Sequence, residues 1–300
     1  MEAQEKKSAF VAVLGRPSAG KSTLVNRFCG QKVAIVSPVP QTTRNAIRGI
    51  VNREEGQIVF VDTPGRHLSE RKFNRRLMDV AGKALGQADL VLYVLDASRK
   101  AGAEEAAMAE ELRNHAPVLV AAINKTDSPG ADVEAAREFL RGKFPGLEDS
   151  RVFPLSALTG EGAGPLLARL FSLAPPGEAA YPADYYTDQD LPFRIAEIIR
   201  EKAIHRLREE LPHSLYVEVA DAELREEGSL LWVRAFIITE RESQKGMIVG
   251  KGGALIRSIR QAALEDLNRI FDWKIYLDLR VKAAKDWRHN DRLLRKLIDR

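Results

Sequence analysis

The chain has 300 residues, 45% hydrophobic and 29% charged, with 21 Gly and 14 Pro. That length accommodates two ordinary domains, and the composition excludes disordered, collagen-like and low-complexity classes. The net charge of +4 is uneven: residues 1–177 carry 24 basic and 20 acidic side chains, residues 178–242 carry 8 and 15, and residues 243–300 carry 14 and 7. The last segment therefore suits an anionic partner, or is a solvated basic face. The single cysteine, Cys29, excludes an intramolecular disulfide and a cysteine-based zinc site. No apolar run approaches the roughly 20 residues of a membrane span. The mixed-charge start lacks a signal-peptide core, so the expectation is a cytoplasmic protein.

The apolar run Phe10–Leu14 reads as a buried strand and Lys21–Phe28 as a helix. Between them Gly15-Arg16-Pro17-Ser18-Ala19-Gly20-Lys21-Ser22 has the full P-loop spacing, with Thr23 next in the helix. Glycines let the backbone wrap a phosphate, and the loop N–H groups and helix amino end supply positive potential. Lys21 can reach the terminal phosphates and Ser22 can ligate Mg²⁺. A second strand, Ile58–Asp62, runs into Asp62-Thr63-Pro64-Gly65. A carboxylate there can hold the magnesium shell, and the Gly65 N–H can approach the outermost phosphate.

Leu90–Asp96, Val118–Asn124 and Val152–Ser156 are further strands, separated by helical stretches Ala103–Asn114 and Val133–Lys143. This alternation predicts a mainly parallel sheet covered on both faces, with ligands beyond the carboxyl ends of its strands. At one such end stands Asn124-Lys125-Thr126-Asp127. The Asp127 carboxylate can accept from the ring N–H and exocyclic amine of guanine, a donor pair adenine lacks. Lys125 packs along the base, Asn124 ties the loops together, and Ser156-Ala157 offer N–H groups to the guanine carbonyl. Each tetrapeptide alone is also an ordinary turn; in this order and spacing they point to a guanine-nucleotide site.

The domain boundary falls near residue 177, after Ala174-Pro175-Pro176-Gly177, with a Pro-, Tyr- and Asp-rich linker over 178–192. The last domain, 193–300, reads helix (Ile195 to Leu207), strand (Ser214–Ala220), strand (Leu230–Ile238), helix (Ala254 to Asn268), strand (Lys274–Lys282) and a basic helix, Asp286–Arg300. Gly250-Lys251-Gly252-Gly253 precedes the second helix. Such a turn permits close backbone approach to a nucleic-acid strand, although a plain turn before a helix has the same letters. Arg257, Arg260, Lys274, Arg280, Lys282 and Lys285 are candidate backbone contacts or solvated charges. The five histidines have no metal-ligand spacing.

With these motifs the chain resembles the translation-factor-related GTPases and, within them, the Era family of ribosome-assembly GTPases, over residues 8 to 295. The second half resembles a type II KH domain with a GXXG loop at 250–253. The implied fold is an α/β P-loop GTPase domain followed by an α+β KH domain. Val39-Pro40-Gln41-Thr42-Thr43-Arg44 matches the family's first switch, which implies that Thr43 closes onto Mg²⁺ in the GTP state. The resemblance implies Mg²⁺-dependent hydrolysis of GTP to GDP, with Lys21, Thr43, Asp62 and Gly65 at the reacting phosphate. It also implies RNA contacts at Gly250, Lys251, Gly252, Gly253, Arg257 and Lys282. The implied partners are the 3′ end of 16S rRNA, the 30S subunit and its precursor.

Arg66 and His67 stand where many GTPases place a water-orienting Gln; the family generally lacks it, so slow turnover is expected. Ser18 departs from the family's usual Asn, which puts potassium stimulation in doubt. Competing readings are an ATPase, and a signalling GTPase whose second half binds protein or, through its basic last helix, peripherally binds anionic lipid at the inner face of the cell membrane.

Overall fold

The computed structural model describes residues 5–40, 42–65 and 72–298. These form two compact units. The first holds β1 (Lys7–Leu14), α1 (Lys21–Cys29), β2 (Ile47–Arg53), β3 (Gly56–Asp62), α2 (Lys72–Gly86), β4 (Leu90–Asp96), α3 (Ala103–Leu112), β5 (Leu119–Asn124), α4 (Val133–Lys143), β6 (Val152–Pro154) and α5 (Ala163–Leu173). The sheet order is β2-β3-β1-β4-β5-β6, with only β2 antiparallel to its neighbour.

The central strands are apolar on both faces because both faces are covered. In β1, Ala9, Val11 and Val13 join a core with Leu24 of α1 and Leu166 and Leu170 of α5. Ala12 and Leu14 join another with Ala81 of α2, Met108 of α3 and Leu140 of α4. Register then fixes the rim: Val13 pairs with Asp62, and Asp96 with Asn124. The polar residues that end these apolar runs are thereby brought to the carboxyl edge of one sheet.

The parallel α/β architecture agrees with the sequence reading, which did not name β2, α2 or α5. The 178–192 segment is not a free tether over its first part. The Ile50 N–H donates to the Tyr186 carbonyl at 3.0 Å, Asn52 Nδ2 donates to the carbonyls of Ala183 and Tyr185 at 3.0 Å each, and Gln57 Nε2 donates to that of Tyr181 at 2.9 Å. The segment thus lies on the exposed edge strand β2 and satisfies polar groups that an open edge would leave unpaired.

The second unit comprises Ile35–Thr42 and Gln189–Lys296. It contains α6 (Leu191–Ile204), a single turn α7 (Leu211–Ser214), β7 (Leu215–Arg225), β8 (Leu230–Thr239), α8 (Glu242–Val249), α9 (Ala254–Ile270), β9 (Lys274–Ala283) and most of α10 (Asp291–Ile298). Asp190 caps α6, its carboxylate accepting from the Phe193 N–H at 2.6 Å. The sheet order is β7-β8-β9, with β8 and β9 parallel across the α8–α9 crossover. Leu231, Val233, Ile275, Leu277 and Val281 pack with Ile195 and Ile199 of α6 and Ile259 and Leu267 of α9.

Within this unit the Val36 N–H donates to Glu201 Oε1 at 2.9 Å, and the Arg200 guanidinium donates to the Thr42 carbonyl at 2.6 Å. Trp287 is buried against Tyr216, ring centroids 4.9 Å apart, and its indole N–H donates to the Ser214 carbonyl at 3.0 Å. The Trp232 ring carries the Arg225 and Arg234 guanidinium groups at 4.3 and 4.9 Å. The expected single helix over 286–300 is instead a short turn, Trp287–His289, followed by α10. Asn290 accepts from the Leu293 N–H at 3.1 Å, an N-terminal cap that starts a new helix there.

Candidate functional site

At the amino end of α1, Lys21 is buried and its Nζ donates to the Gly15 and Arg16 carbonyls at 3.0 Å each. Burial pushes it down to about 8, with Asp62 raising it and Arg16 lowering it further. The 15–20 loop wraps this ammonium, with Ala19 and Pro17 buried and Ser18 exposed at φ 61°. Gly65 lies across the same loop: a Cβ there would meet Pro17 Cα and N at 2.7 Å and Lys21 Nζ at 3.1 Å. Only a glycine brings the 62–65 segment this close to the phosphate loop. Thr63 anchors the approach through Oγ1, which donates to the Val13 carbonyl at 2.8 Å, and Pro64 is buried between them.

Three oxygen-bearing side chains meet beside Lys21. Ser22 Oγ donates to Asp62 Oδ2 at 2.6 Å and lies 3.0 Å from Thr43 Oγ1, which is 3.4 Å from the same carboxylate oxygen. Asp62 is fully buried, and its Oδ1 has no hydrogen-bond partner. Burial raises its pKa to about 6 against the opposing effects of Lys21, Ser22 and Thr43. A buried acid with an unused oxygen, beside two hydroxyls, is a donor set suited to a hard divalent cation. Thr23 follows on α1, half-buried.

At the base end, Asn124 is buried and bridges two loops. Its Nδ2 donates to the Ala19 carbonyl at 2.8 Å, and its Oδ1 accepts from the Ala157 N–H at 2.9 Å. Gly20, at φ 97°, makes room for this amide: a Cβ would sit 2.2 Å from Nδ2. The Ser156 N–H donates to the Glu161 carbonyl at 2.9 Å. The two N–H groups expected to face the guanine carbonyl are therefore engaged within the protein. Asp127 is exposed at the loop tip.

Three participants were absent from the sequence reading. Asp96 Oδ2 accepts from Arg16 at 2.7 Å and from Lys125 Nζ at 2.6 Å. Glu105 of α3 lies 2.7 Å from Arg16 Nε. Arg27 of α1 holds the 156–160 loop, donating to the carbonyls of Ala157 at 3.3 Å and of Leu158. The detectable signal for Asp96 was its place at the carboxyl end of a buried strand. Arg66, His67, Arg71 and Gln41 lie outside the described residues, as does the Lys72 side chain. Cys29 has its thiol pushed up to about 12 by burial, in keeping with an inert packing role.

In the second unit Gly250-Lys251-Gly252-Gly253 forms the turn between α8 and α9. Gly250 has φ 72°, and a Cβ would meet Leu255 Cβ at 2.7 Å; Gly252 faces open space. Lys251 is exposed, and Arg257 donates back to the Gly252 carbonyl at 2.7 Å. Arg260 is spent internally, Nε donating to the Leu277 carbonyl at 2.7 Å. Lys274, Arg280 and Lys282 alternate with the buried residues of β9 and so lie on the sheet face away from α9. There Lys282 Nζ sits 3.3 Å from the Phe236 ring centroid and Arg280 pairs with Asp278 at 3.0 Å. Lys285 is exposed beyond the strand. The turn with Lys251 and Arg257 is thus one surface, and Lys282 belongs to another.

A family model described as a 50S ribosome-binding GTPase matches residues 10–125, and one described as a KH domain matches residues 210–288. GTPase Era of Treponema denticola is 49% identical over 290 residues, 97% of this chain and 99% of the relative. That of Borreliella burgdorferi is 45% identical, over 98% of this chain and 100% of the relative. Among solved structures, an Aquifex aeolicus Era variant bound to GDP.AlF4⁻ is 33% identical with a TM-score of 0.89, covering 96% of this chain and 98% of its own. An Era complex with MgGDPNP and nucleotides 1506–1542 of 16S ribosomal RNA is 32% identical, also with TM-score 0.89, over 97% and 98%.

Proposed function

This chain belongs to the Era family of GTPases, and from that premise we propose that it is a guanine-nucleotide switch that binds the 3′ end of 16S rRNA through its GKGG turn and acts on the 30S subunit and its precursor. The observation that carries the reading is the convergence of Ser22, Thr43 and Asp62 beneath a phosphate loop that Asn124 ties to the base-reading loop. Ser22, Thr43 and Asp62 would hold Mg²⁺, which neutralises charge on the β- and γ-phosphates.

Phosphoryl transfer demands positioning and charge more than covalent chemistry. Lys21 exchanges its two loop carbonyls for phosphate oxygens, and an arriving anion raises the lysine pKa that burial has depressed. Gly65 lies against Pro17 and Lys21, so its N–H would face the outermost phosphate held by Lys21. Asp127 accepts from the guanine donors. Arg66 stands where many GTPases place a water-orienting Gln, which supports slow intrinsic hydrolysis; turnover of the purified chain faster than ~1 s⁻¹ would contradict this.

The first-switch stretch supports a link between nucleotide and the second unit. The Thr42 carbonyl is held by Arg200, while its covalent neighbour Thr43 belongs to the Ser22–Asp62 cluster. A ligand that moves Thr43 therefore bears on what Arg200 holds. Filter binding of a 16S 3′-end oligonucleotide to the GTP-analogue-, GDP- and nucleotide-free forms tests this. Unequal affinities, all lost when the GKGG turn is altered, are expected; equal affinities would remove the coupling. For peripheral lipid association the apolar side of α10 is poorly placed at Leu294, which is buried. Among the described residues no helix is long and apolar enough to cross a membrane.

A further inference from the structure

We propose that Asp96 is a positioning residue that locks the base-reading loop to the phosphate loop and so sharpens the choice of guanine. The inference rests on the nucleotide-site reading above. Asp96 ends β4, paired with Asn124 in the neighbouring strand. Its Oδ1 accepts twice from Ser98, from the backbone N–H at 3.0 Å and from Oγ at 2.5 Å. Its Oδ2 accepts from one cation on each loop: Arg16, the second residue of the phosphate loop, at 2.7 Å, and Lys125, the second residue of the base-reading loop, at 2.6 Å. Every lone-pair direction of the carboxylate is used, so its orientation is fixed. Burial works to raise its pKa, but the bonds from Lys125 and Ser98 outweigh it and hold the group below the ordinary aspartate value, ionised at neutral pH.

Two further features show that this is a tether rather than a surface ion pair. Arg16 and Asp96 are both buried, at 7% and 5% exposure, and Glu105 balances the second positive charge from 2.7 Å. Charge-assisted bonds in such surroundings are strong and costly to leave half-made. Lys125 has φ 68°, a left-handed conformation unusual for a residue with a Cβ, and the loop adopts it while the lysine is held by Asp96. Asp127, two residues on, inherits its placement from that turn. Asn124, the first residue of the base-reading loop, makes an independent link to the phosphate loop at Ala19. Asp96 thus acts on selectivity without itself reaching toward the base.

The test compares GDP with inosine diphosphate, which lacks only the 2-amino group that Asp127 reads. Calorimetry on the full chain gives both affinities, with melting curves as a control for folding. Asp96→Asn is expected to weaken GDP about 10-fold and to shrink the GDP-over-IDP preference several-fold, a span typical of coupled sites; Asp96→Glu should restore most of it. Arg16→Gln severs the tether at the phosphate end and leaves every base-side group in place. It too should shrink the preference, an effect that a purely local role of Arg16 cannot produce. Equal weakening of GDP and IDP in both variants, or unchanged affinities, would overturn the proposal while leaving the nucleotide site intact. Failure of the unaltered chain to bind GDP would overturn the site reading and this inference together.

Discussion

The two ends of the chemistry are built on opposite plans. At the nucleotide site Lys21, Asp62, Arg16 and Asn124 are buried and hydrogen-bonded to one another's loops, with Asp62 Oδ1 left unpartnered. At the GKGG turn, the proposed RNA surface, Lys251 and Arg257 are exposed and Gly252 faces open space. A buried, prearranged site gains its strength from low dielectric and fixed dipoles, so one lost group is felt by all the others. An exposed cationic surface gains by releasing counterions from phosphates, one contact at a time. Substitutions should therefore fail steeply in the first unit and gradually in the second.

The largest expected effect is that of Lys21→Ala, about 10³-fold in single-turnover GTP hydrolysis. A loss below tenfold would mean that the site is not prearranged around this ammonium. Next is Asp127→Asn, which turns an acceptor into a donor at one oxygen. It should move preference from guanine toward xanthine nucleotides by about 10²-fold, measured as a ratio of competition constants. Retained guanine preference would show that Asp127 is not the reader.

A pH titration sharpens the contrast further. Asp62 has its folded-state pKa raised from 3.8 to about 6, so the folded protein binds more protons than the unfolded chain between those values. Stability therefore falls as pH rises through that window. Lys21, lowered from 10.5 to about 8, works the other way: its penalty is present below pH 8 and is relieved as pH climbs toward 10.5. The pair burdens the ligand-free fold most between about pH 6 and 8, where both are charged. The stability of the unaltered chain relative to Asp62→Asn should therefore fall between pH 3.8 and about 6 and not recover above, and GTP with Mg²⁺ should offset that fall. A featureless difference curve would contradict these shifts.

In the second unit Lys251→Ala should weaken RNA by about 3- to 10-fold and lower the salt slope by about one. Lys282→Ala, on the other face of the sheet, should change binding to the same oligonucleotide less. The glycines there behave differently. Gly250→Ala meets Leu255 and a positive φ, so it should cost about 1–3 kcal/mol of stability. This would appear as a lowered melting temperature rather than as a selective loss of RNA.

What the sequence disclosed follows from the same physics. The phosphate loop, Asp62–Gly65, Asn124–Asp127 and the GKGG turn are contiguous runs whose backbones do the work, and buried parallel strands announce themselves as unbroken apolar stretches. The edge strand β2, Ile-Arg-Gly-Ile-Val-Asn-Arg, has neither an unbroken nor a cleanly alternating pattern. Asp96 was hidden because it meets Arg16 across 80 residues, a proximity created by strand pairing rather than by spacing. The separation of Lys282 from Arg257 was present in the alternation of β9, where charged and apolar residues take turns. The capping role of Asn290 was likewise legible in its residue type, though the run around it reads as one basic helix.

The three tryptophans, Trp232, Trp273 and Trp287, all fall in the second unit. Indole emission therefore belongs to one half of the chain, and to three dissimilar environments: a ring with two guanidinium groups within 5 Å of its centroid, a ring stacked on Phe271, and a ring sealed in the interior. An unlabelled sample excited near 295 nm carries its own optical gauge, blind to the half that holds GTP. Any shift in that spectrum on adding nucleotide would have originated where the chromophores are absent.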